Sequence, residues 1–253
     1  MSAVIHNIEG DLDFASASRT REHLIHLLNQ GQKDLTVDLG AAGYVDSAGL
    51  LALIAVATRA SGAGGSVRVR NPSATLMRML NLSHAAEVLG LASEALPLPA
   101  RRRHTDTGVG RWDVFRFVVP ATAQACAQVR RAVIQEAART PLTPACCADL
   151  ELAVGEAFAN AVRHGSPRGE QDRVTVRCLV GRDAVVVEVA DEGLGFDRSE
   201  VVLPRPEEIR EGGMGIFYME AVMDSVEFEY TTRGMVVRLA KVYPGARGSA
   251  TRR

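Results

Sequence analysis

The sequence is short of several features, and each shortage excludes a class of protein. Its 253 residues carry a net charge of -1, which gives no overall attraction to nucleic acid or to an anionic membrane. The longest apolar run, Leu50 to Ala57, is far shorter than the roughly 20 residues of a transmembrane helix. The N-terminus lacks the basic and then apolar segments of a secretory signal. We therefore expect a cytoplasmic protein of one large or two small domains.

Cysteine and lysine are also scarce. None of the four cysteines lies in a CxxC pair, which argues against a zinc site and a thioredoxin-like site. Cys146 and Cys147 are adjacent and poorly placed for a disulfide framework, so we expect reduced thiols. Lysine occurs only at Lys33 and Lys241, because arginine supplies nearly all the positive charge. We attribute this to genomic composition bias and not to function.

Residues 1–92 are predicted to form a compact α/β domain. Apolar periodicity predicts helices over 15–29 and 50–60, and strands over 35–39 and 67–69. Ser73 is a predicted N-cap of a further helix. The residue of chemical interest is Ser47, which follows Asp46 between a short apolar segment and the second helix. It is either a plain helix N-cap or a phosphoacceptor whose phosphate would lie on free N–H groups.

The sequence around Ser47 resembles that of STAS domains of the anti-anti-sigma factor type. The resemblance rests on Asp38-Leu and on Val45-Asp-Ser-Ala-Gly-Leu50, and covers residues 3–92. It implies a β-sheet with packed helices, and it implies that Ser47 is the phosphorylated switch residue.

Residues 93–111 are predicted to be a linker, because they contain prolines, glycines and a basic triplet without any period. The triplet Arg101 to Arg103 is either solvated linker or a docking patch. The second domain is predicted over 112–243, followed by a tail over 244–253. It contains a strand over 114–119, a helix over 121–136, and a helix that starts at Pro144 with Thr143 as its predicted N-cap. Two hairpins follow, and the strands of the first are predicted over 174–180 and 184–190.

The helix ending at His164 places Glu156, Asn160 and His164 on one polar stripe, since they are spaced four residues apart. Val154, Ala157, Phe158, Ala161 and Val162 are predicted to lie on the opposite, apolar side. The stripe is either a solvated helix face or one side of a binding site.

Two glycine clusters follow this helix and favour a nucleotide site. Asp191, at a strand end, can accept a hydrogen bond from an exocyclic amine such as that of adenine. Gly193 and Gly195 remove side chains where a ring must approach the backbone. Gly213 and Gly215 leave N–H groups free for phosphate oxygens at a helix N-terminus.

The polar stripe can supply the chemistry of phosphoryl transfer. Asn160 offers a neutral oxygen to Mg²⁺, which prefers hard oxygen ligands. Glu156, one turn earlier, can accept the proton of an attacking hydroxyl. A Walker GxxxxGK[ST] sequence is absent, so the chain is not a P-loop protein.

The order of these motifs resembles the Bergerat-fold (GHKL) ATPases, and within them the anti-sigma factor serine kinases. An N-box runs from Glu156 to His164, a G1 box from Asp191 to Gly195, and a G2 box from Gly213 to Gly215. The resemblance covers residues 113–242 and implies an α/β sandwich with a mixed sheet. It also implies that ATP and Mg²⁺ bind, with His164 and Met214 among the nucleotide-binding residues.

Two positions depart from that family. Glu211 is adjacent to the second glycine box where an arginine is common, with Arg210 one residue further out. Met235 replaces the threonine that commonly follows the glycine of the last strand. Either change is expected to weaken nucleotide binding, but neither removes the metal ligand or the base.

The two families that the chain resembles act in one signalling mechanism, partner switching, in which a kinase phosphorylates a STAS serine. The sequence therefore predicts a two-domain ATP-dependent protein-serine kinase whose partners are its own or a separate STAS domain and a sigma factor, with a homodimer possible. The competing hypothesis is a non-catalytic scaffold that sequesters such partners.

Overall fold

The protein is described by a computed structural model over residues 4–83, 85–92, 112–193 and 213–246. These residues form two compact units. The first contains the described residues up to 92 together with Gly213 and Met214, and the second contains residues 112–193 and 215–246. The predicted linker at 93–111 and most of the predicted tail lie outside the described residues, so these boundaries stay predictions. Within the described part of the chain, no helix is both long and apolar enough to cross a membrane.

The first unit is built from parallel strands with helices between them. Its elements are β1 (Val4–Asn7), β2 (Gly10–Leu12), α1 (Ala17–Asn29), β3 (Asp34–Asp38), β4 (Ala42–Val45), α2 (Ser47–Gly62), β5 (Ser66–Arg70) and α3 (Ala74–Leu82). Strands β1, β3 and β5 form one parallel sheet, and β2 pairs with β4 in parallel. The almost wholly apolar α2 buries Leu50, Leu53 and Val56 completely, as its composition predicts.

The start of α2 corrects the prediction made for Ser47. Asp46, and not Ser47, caps the helix, because its Oδ1 accepts the Gly49 N–H at 2.9 Å. Its Oδ2 accepts the Phe14 N–H at 2.8 Å. Ser47 is the first helical residue and only 5% exposed. The plain N-cap explanation of this serine is therefore wrong, because the carboxylate before it already fills that role.

The second unit is a five-stranded sheet with helices. Its elements are β6 (Asp113–Pro120), α4 (Ala123–Ala137), α5 (Pro144–His164), β7 (Arg173–Val180), β8 (Ala184–Ala190), α6 (Met214–Val222), β9 (Ser225–Thr231) and β10 (Gly234–Val242). The strand order is β6-β7-β8-β10-β9. The α/β class is confirmed, with one refinement: every described pair in this sheet is antiparallel, not mixed. The chain reverses direction at each hairpin, and it also reverses between β6 and β7, which are joined by α4 and α5.

Helices α4 and α5 pack on one face of this sheet, through β6, β7, β8 and β10. The strands present alternate residues to the helices, such as Val187 and Val189 of β8 and Leu239 of β10, all essentially buried. On the other face Glu188 binds Arg177 of β7 at 2.8 Å and Arg238 of β10 at 3.0 Å. This cross-strand network fixes the register of the three central strands.

Helix α5 begins where its sequence predicts. The Thr143 hydroxyl accepts the Cys146 N–H at 3.2 Å, and Pro144 occupies the first turn, where its missing N–H costs nothing. Most of α5 is buried because it packs against α4 and against strands β7, β8 and β10. The helix therefore carries two carboxylates, Asp149 and Glu156, into the interior of the unit.

Candidate functional site

A narrow, partly open cleft lies beside the C-terminal half of α5. Helix α5, the residue after it, the end of β8, β9 and β10 all contribute to its wall. The lining residues are Ala157, Asn160, Ala161, His164, Gly165, Val189, Asp191, Phe228, Met235 and Val237. The wall is mostly apolar with a few polar groups, as is typical of small-molecule sites.

The polar stripe of α5 runs along this cleft from the interior to the surface. Glu156 is 1% exposed, Asn160 is half-buried, and His164 is exposed at the end of the helix. Partial desolvation of the ring and the neighbouring Arg163 charge lower the pKa of His164, which favours its neutral form. Asn160 and His164 line the cleft, whereas Glu156 is buried at the inner end of the stripe and lies outside the lining residues.

The predicted division of α5 into a polar and an apolar side is wrong at two positions. Ala157 and Ala161 line the cleft together with Asn160. They are one residue after Glu156 and Asn160, and therefore about 100° around the helix from them, so they share the wall. Their small side chains leave the space that a bound group would need.

Asp191 is held at the floor of the cleft by the backbone. Its Oδ1 accepts the N–H groups of Gly193 at 3.0 Å and Met235 at 3.2 Å. The Asp191 N–H donates in turn to the Met235 carbonyl at 3.0 Å. Burial raises the pKa of the Asp191 carboxyl above its ordinary value, and the two N–H donors oppose the rise. Its Oδ2 has no hydrogen-bond partner among the described residues, so it can accept from a ligand.

Three glycines make room for Asp191. A Cβ on Gly165 would lie 2.2 Å from Asp191 Oδ2, and one on Gly193 would lie 2.5 Å from the Gly165 Cα. A Cβ on Gly234 would lie 1.9 Å from the Asp191 carbonyl oxygen, and Gly234 has φ +146°. Sequence reasoning identified Gly193 but missed Gly165 and Gly234, which lie far from Asp191 in the chain. The signal for Gly165 was its position directly after the polar stripe.

The second glycine cluster lies against the buried carboxylate. A Cβ on Gly215 would lie 2.5 Å from Glu156 Oε2, so a larger residue at this position in the first turn of α6 would displace the carboxylate. Gly213 has φ +82°, a left-handed conformation that also favours glycine. The proximity of Gly215 to Glu156 places the second glycine cluster next to the polar stripe of α5. Met214 begins α6 and is buried.

Arg168 braces the turn next to Asp191. Its guanidinium binds Asp172 Oδ1, with Nε at 2.6 Å, and Glu192 Oε2 at 2.9 Å. Asp172 is fully buried, whereas Glu192 is exposed. These ion pairs link the segment after α5 to Glu192, the residue after Asp191, and they were not predicted from the sequence.

The Met235 departure leaves the backbone contacts with Asp191 in place. The main chain of Met235 makes both hydrogen bonds to Asp191, and these do not depend on the side chain. The side chain, which is 2% exposed, adds apolar surface to the cleft wall. Gly195, Arg210 and Glu211 lie outside the described residues.

The comparisons with known proteins divide the chain in the same way. A sequence model of the STAS domain ("Mlab, STAS domain") matches residues 2–91, and one of the histidine kinase-like ATPase domain matches residues 119–241. The serine-protein kinase RsbW of Bacillus subtilis is 32% identical over 143 residues, which are 53% of this chain and 89% of that protein. The chain belongs to the RsbW family of serine-protein kinases.

Other members of the RsbW family match at similar levels. The RsbW of Bacillus pumilus is 32% identical over 51% of this chain and 85% of its own length. That of Listeria monocytogenes EGD-e is 31% identical over 47% of this chain and 80% of its own length. These relatives match about half of the chain. The chain is therefore a STAS domain followed by an RsbW-like ATPase domain, as predicted from its motifs.

Proposed function

We propose that the chain is a cytoplasmic ATP-dependent protein-serine kinase that phosphorylates a STAS serine, with its own Ser47 as the acceptor. Through this reaction it regulates a sigma factor or a related partner. The observation that carries the proposal is the convergence of Asn160, Asp191 and the buried Glu156 on one cleft and its adjoining helix turn. Membership in a family of serine-protein kinases supports the same reaction.

The residues of the cleft fit an adenine nucleotide. Asp191 Oδ2 accepts from the exocyclic amine, and the apolar lining of the cleft, with Ala157, Ala161 and Val189, contacts the ring. His164 and Asn160 line the path from this floor along α5. The first turn of α6, with Gly213, Met214 and Gly215, offers N–H groups to the phosphates. Gly195 is assigned to the same site from its motif alone.

Asn160 is the residue that would hold Mg²⁺, through its side-chain oxygen. The ion, when bound, would neutralise phosphate charge during transfer. Glu156 accepts the proton of the serine hydroxyl as its oxygen bonds to the γ-phosphorus. The bond from that phosphorus to the β-phosphate oxygen breaks, and ADP leaves with the electron pair.

Ser47 is suited to act as a switch because a phosphate there changes the charge of a buried helix start. The serine is 5% exposed, and Asp46 next to it uses both carboxylate oxygens to hold Gly49 and Phe14. A phosphate adds about -1.5 to -2 charges beside that carboxylate, and the resulting repulsion and desolvation would disrupt a contact made by this surface. The chain's own Ser47 is the proposed acceptor, and the serine of a separate STAS protein is the alternative.

The scaffold hypothesis is not favoured, because the relatives are kinases and both Glu156 and Asn160 are in place. Titration calorimetry of the full chain with ATP separates the two hypotheses. We expect Mg²⁺ to strengthen ATP binding about tenfold or more, which is the scale of one charge-assisted contact. Asn160→Ala should lose this gain but keep metal-free binding, while His164→Ala should keep the gain. Binding that Mg²⁺ does not strengthen would favour the scaffold.

A further inference from the structure

Lys241 occupies a position where the strand pattern calls for an apolar residue. It follows Val237 and Leu239 on the face of β10 that packs against the helices, and it is 7% exposed. A buried cation is costly unless it is paired and hydrogen-bonded. The scarcity of lysine in the chain makes its presence here more notable, because composition bias alone would not place one of two lysines in the core.

The ammonium group of Lys241 binds two helices at once. Its Nζ lies 2.9 Å from Oδ2 of Asp149, a residue of α5 that is 4% exposed. The same Nζ donates to the main-chain carbonyl of Val222, the last residue of α6. Carbonyls at a helix C-terminus lack helical partners, and a cation is favourable there. Lys241 therefore joins α5, α6 and β10 in one buried contact.

The same two helices meet again at the proposed catalytic carboxylate. Glu156 lies two helical turns after Asp149 on α5, and Gly215 lies two turns before Val222 on α6. Each pair is thus about 10 Å apart along its helix. Because Gly215 contacts Glu156, the helices are antiparallel and are held together at both ends of this span. A shift of α6 at Val222 would be transmitted along the seven residues of helix that separate it from Gly215.

We infer that Lys241 is a positioning residue for phosphoryl transfer: it sets the register of α6 against α5 and so places Gly215 against Glu156. This inference rests on the proposed function, since it assigns the phosphate end of the nucleotide to α6. The adenine end is held at Asp191, which takes its contacts from Gly193 and Met235 and not from Lys241.

A purely stabilising role makes a different prediction. A buried ion pair replaced by apolar residues of similar volume often leaves stability unchanged or improved. The double variant Asp149→Val/Lys241→Met should therefore fold with a melting temperature near that of the wild type. The double variant should still bind ATP more weakly if the charged contact sets the register of the two helices, because an apolar side chain makes no directional bond to the Val222 carbonyl.

The test compares the affinities of the full chain for Mg·ATP and for AMP, with thermal unfolding measured beside them. We expect both Lys241→Met and the double variant to bind ATP at least about tenfold more weakly, the scale of a charge-assisted hydrogen bond, while AMP affinity stays within about twofold. Lys33→Met, which changes the exposed lysine, is the matched control and should match the wild type.

Two results would overturn the inference alone: a folded double variant with wild-type ATP affinity, or a parallel loss of ATP and AMP affinity. A wild-type chain that binds neither nucleotide would overturn the proposed function, and this inference with it.

Discussion

The Glu156→Gln variant is expected to transfer phosphate at least about a hundredfold more slowly than the wild type, the scale of a general base. Its affinity for ATP should be unchanged, because glutamine has the same shape and Glu156 lies outside the residues that line the cleft. The carboxylate is 1% exposed and lies against Gly215, so the amide will also keep the helices in place. Transfer is measured as the initial rate of protein phosphorylation by Mg·ATP.

Glu151→Gln is the control for this variant, because Glu151 is on the same helix but faces Arg130 of α4 at 3.8 Å. It should reduce transfer little. A Glu156→Gln chain that phosphorylates at the wild-type rate would show that another group takes the proton.

The Gly234→Ala variant is expected to lose about 3 kcal/mol or more of unfolding free energy, together with ATP binding. Gly234 has a φ of +146°, which in practice only glycine adopts, and the Cβ of an alanine would lie 1.9 Å from the Asp191 carbonyl oxygen. The backbone cannot yield there without moving Asp191 or β10. Urea unfolding and ATP titration measure the two losses.

Gly169→Ala separates the steric clash from the cost of a left-handed backbone. Gly169 has φ +62° in the same unit, but nothing lies within 4 Å of an added Cβ. We expect it to lose only about 1 kcal/mol and to bind ATP normally. If both variants lost the same unfolding free energy and the same ATP affinity, the close contact with Asp191 would not be the reason that position 234 requires glycine.

Local chemistry made several elements predictable from the sequence. The capping roles of Thr143 and Ser73 were predicted because a hydroxyl before a helix has few alternatives. Strand β8 was predicted to the residue because its apolar run ends at a turn on one side and at Asp191 on the other. The motifs around Glu156 and Asp191 were recognised through their order along the chain.

Other features depend on contacts between distant residues, and the sequence could not reveal them. Strands β1 and β2 were not predicted, since they are short and are defined by their pairing with β3 and β4. The space that Gly165 and Gly234 leave for Asp191 appears only when three segments meet. The sequence did not reveal that Asp46 is the N-cap of α2, because aspartate and serine are both common N-cap residues and the two are adjacent.

Lys241 is an intermediate case. Its alternation with Met235, Val237 and Leu239 places a charge at a core position, and this pattern is visible in the sequence. The reason for the charge is visible only in the structure, where Asp149 and the end of α6 surround the ammonium group.

The most direct test of the account is intact-mass spectrometry of the purified full chain after incubation with Mg·ATP. The account predicts one added phosphate in the wild type and none in Ser47→Ala or Glu156→Gln. A phosphate that survives Ser47→Ala but not Glu156→Gln would contradict Ser47 as the acceptor and keep the kinase. A chain that gains no phosphate and also transfers none to an added STAS protein would contradict the kinase itself.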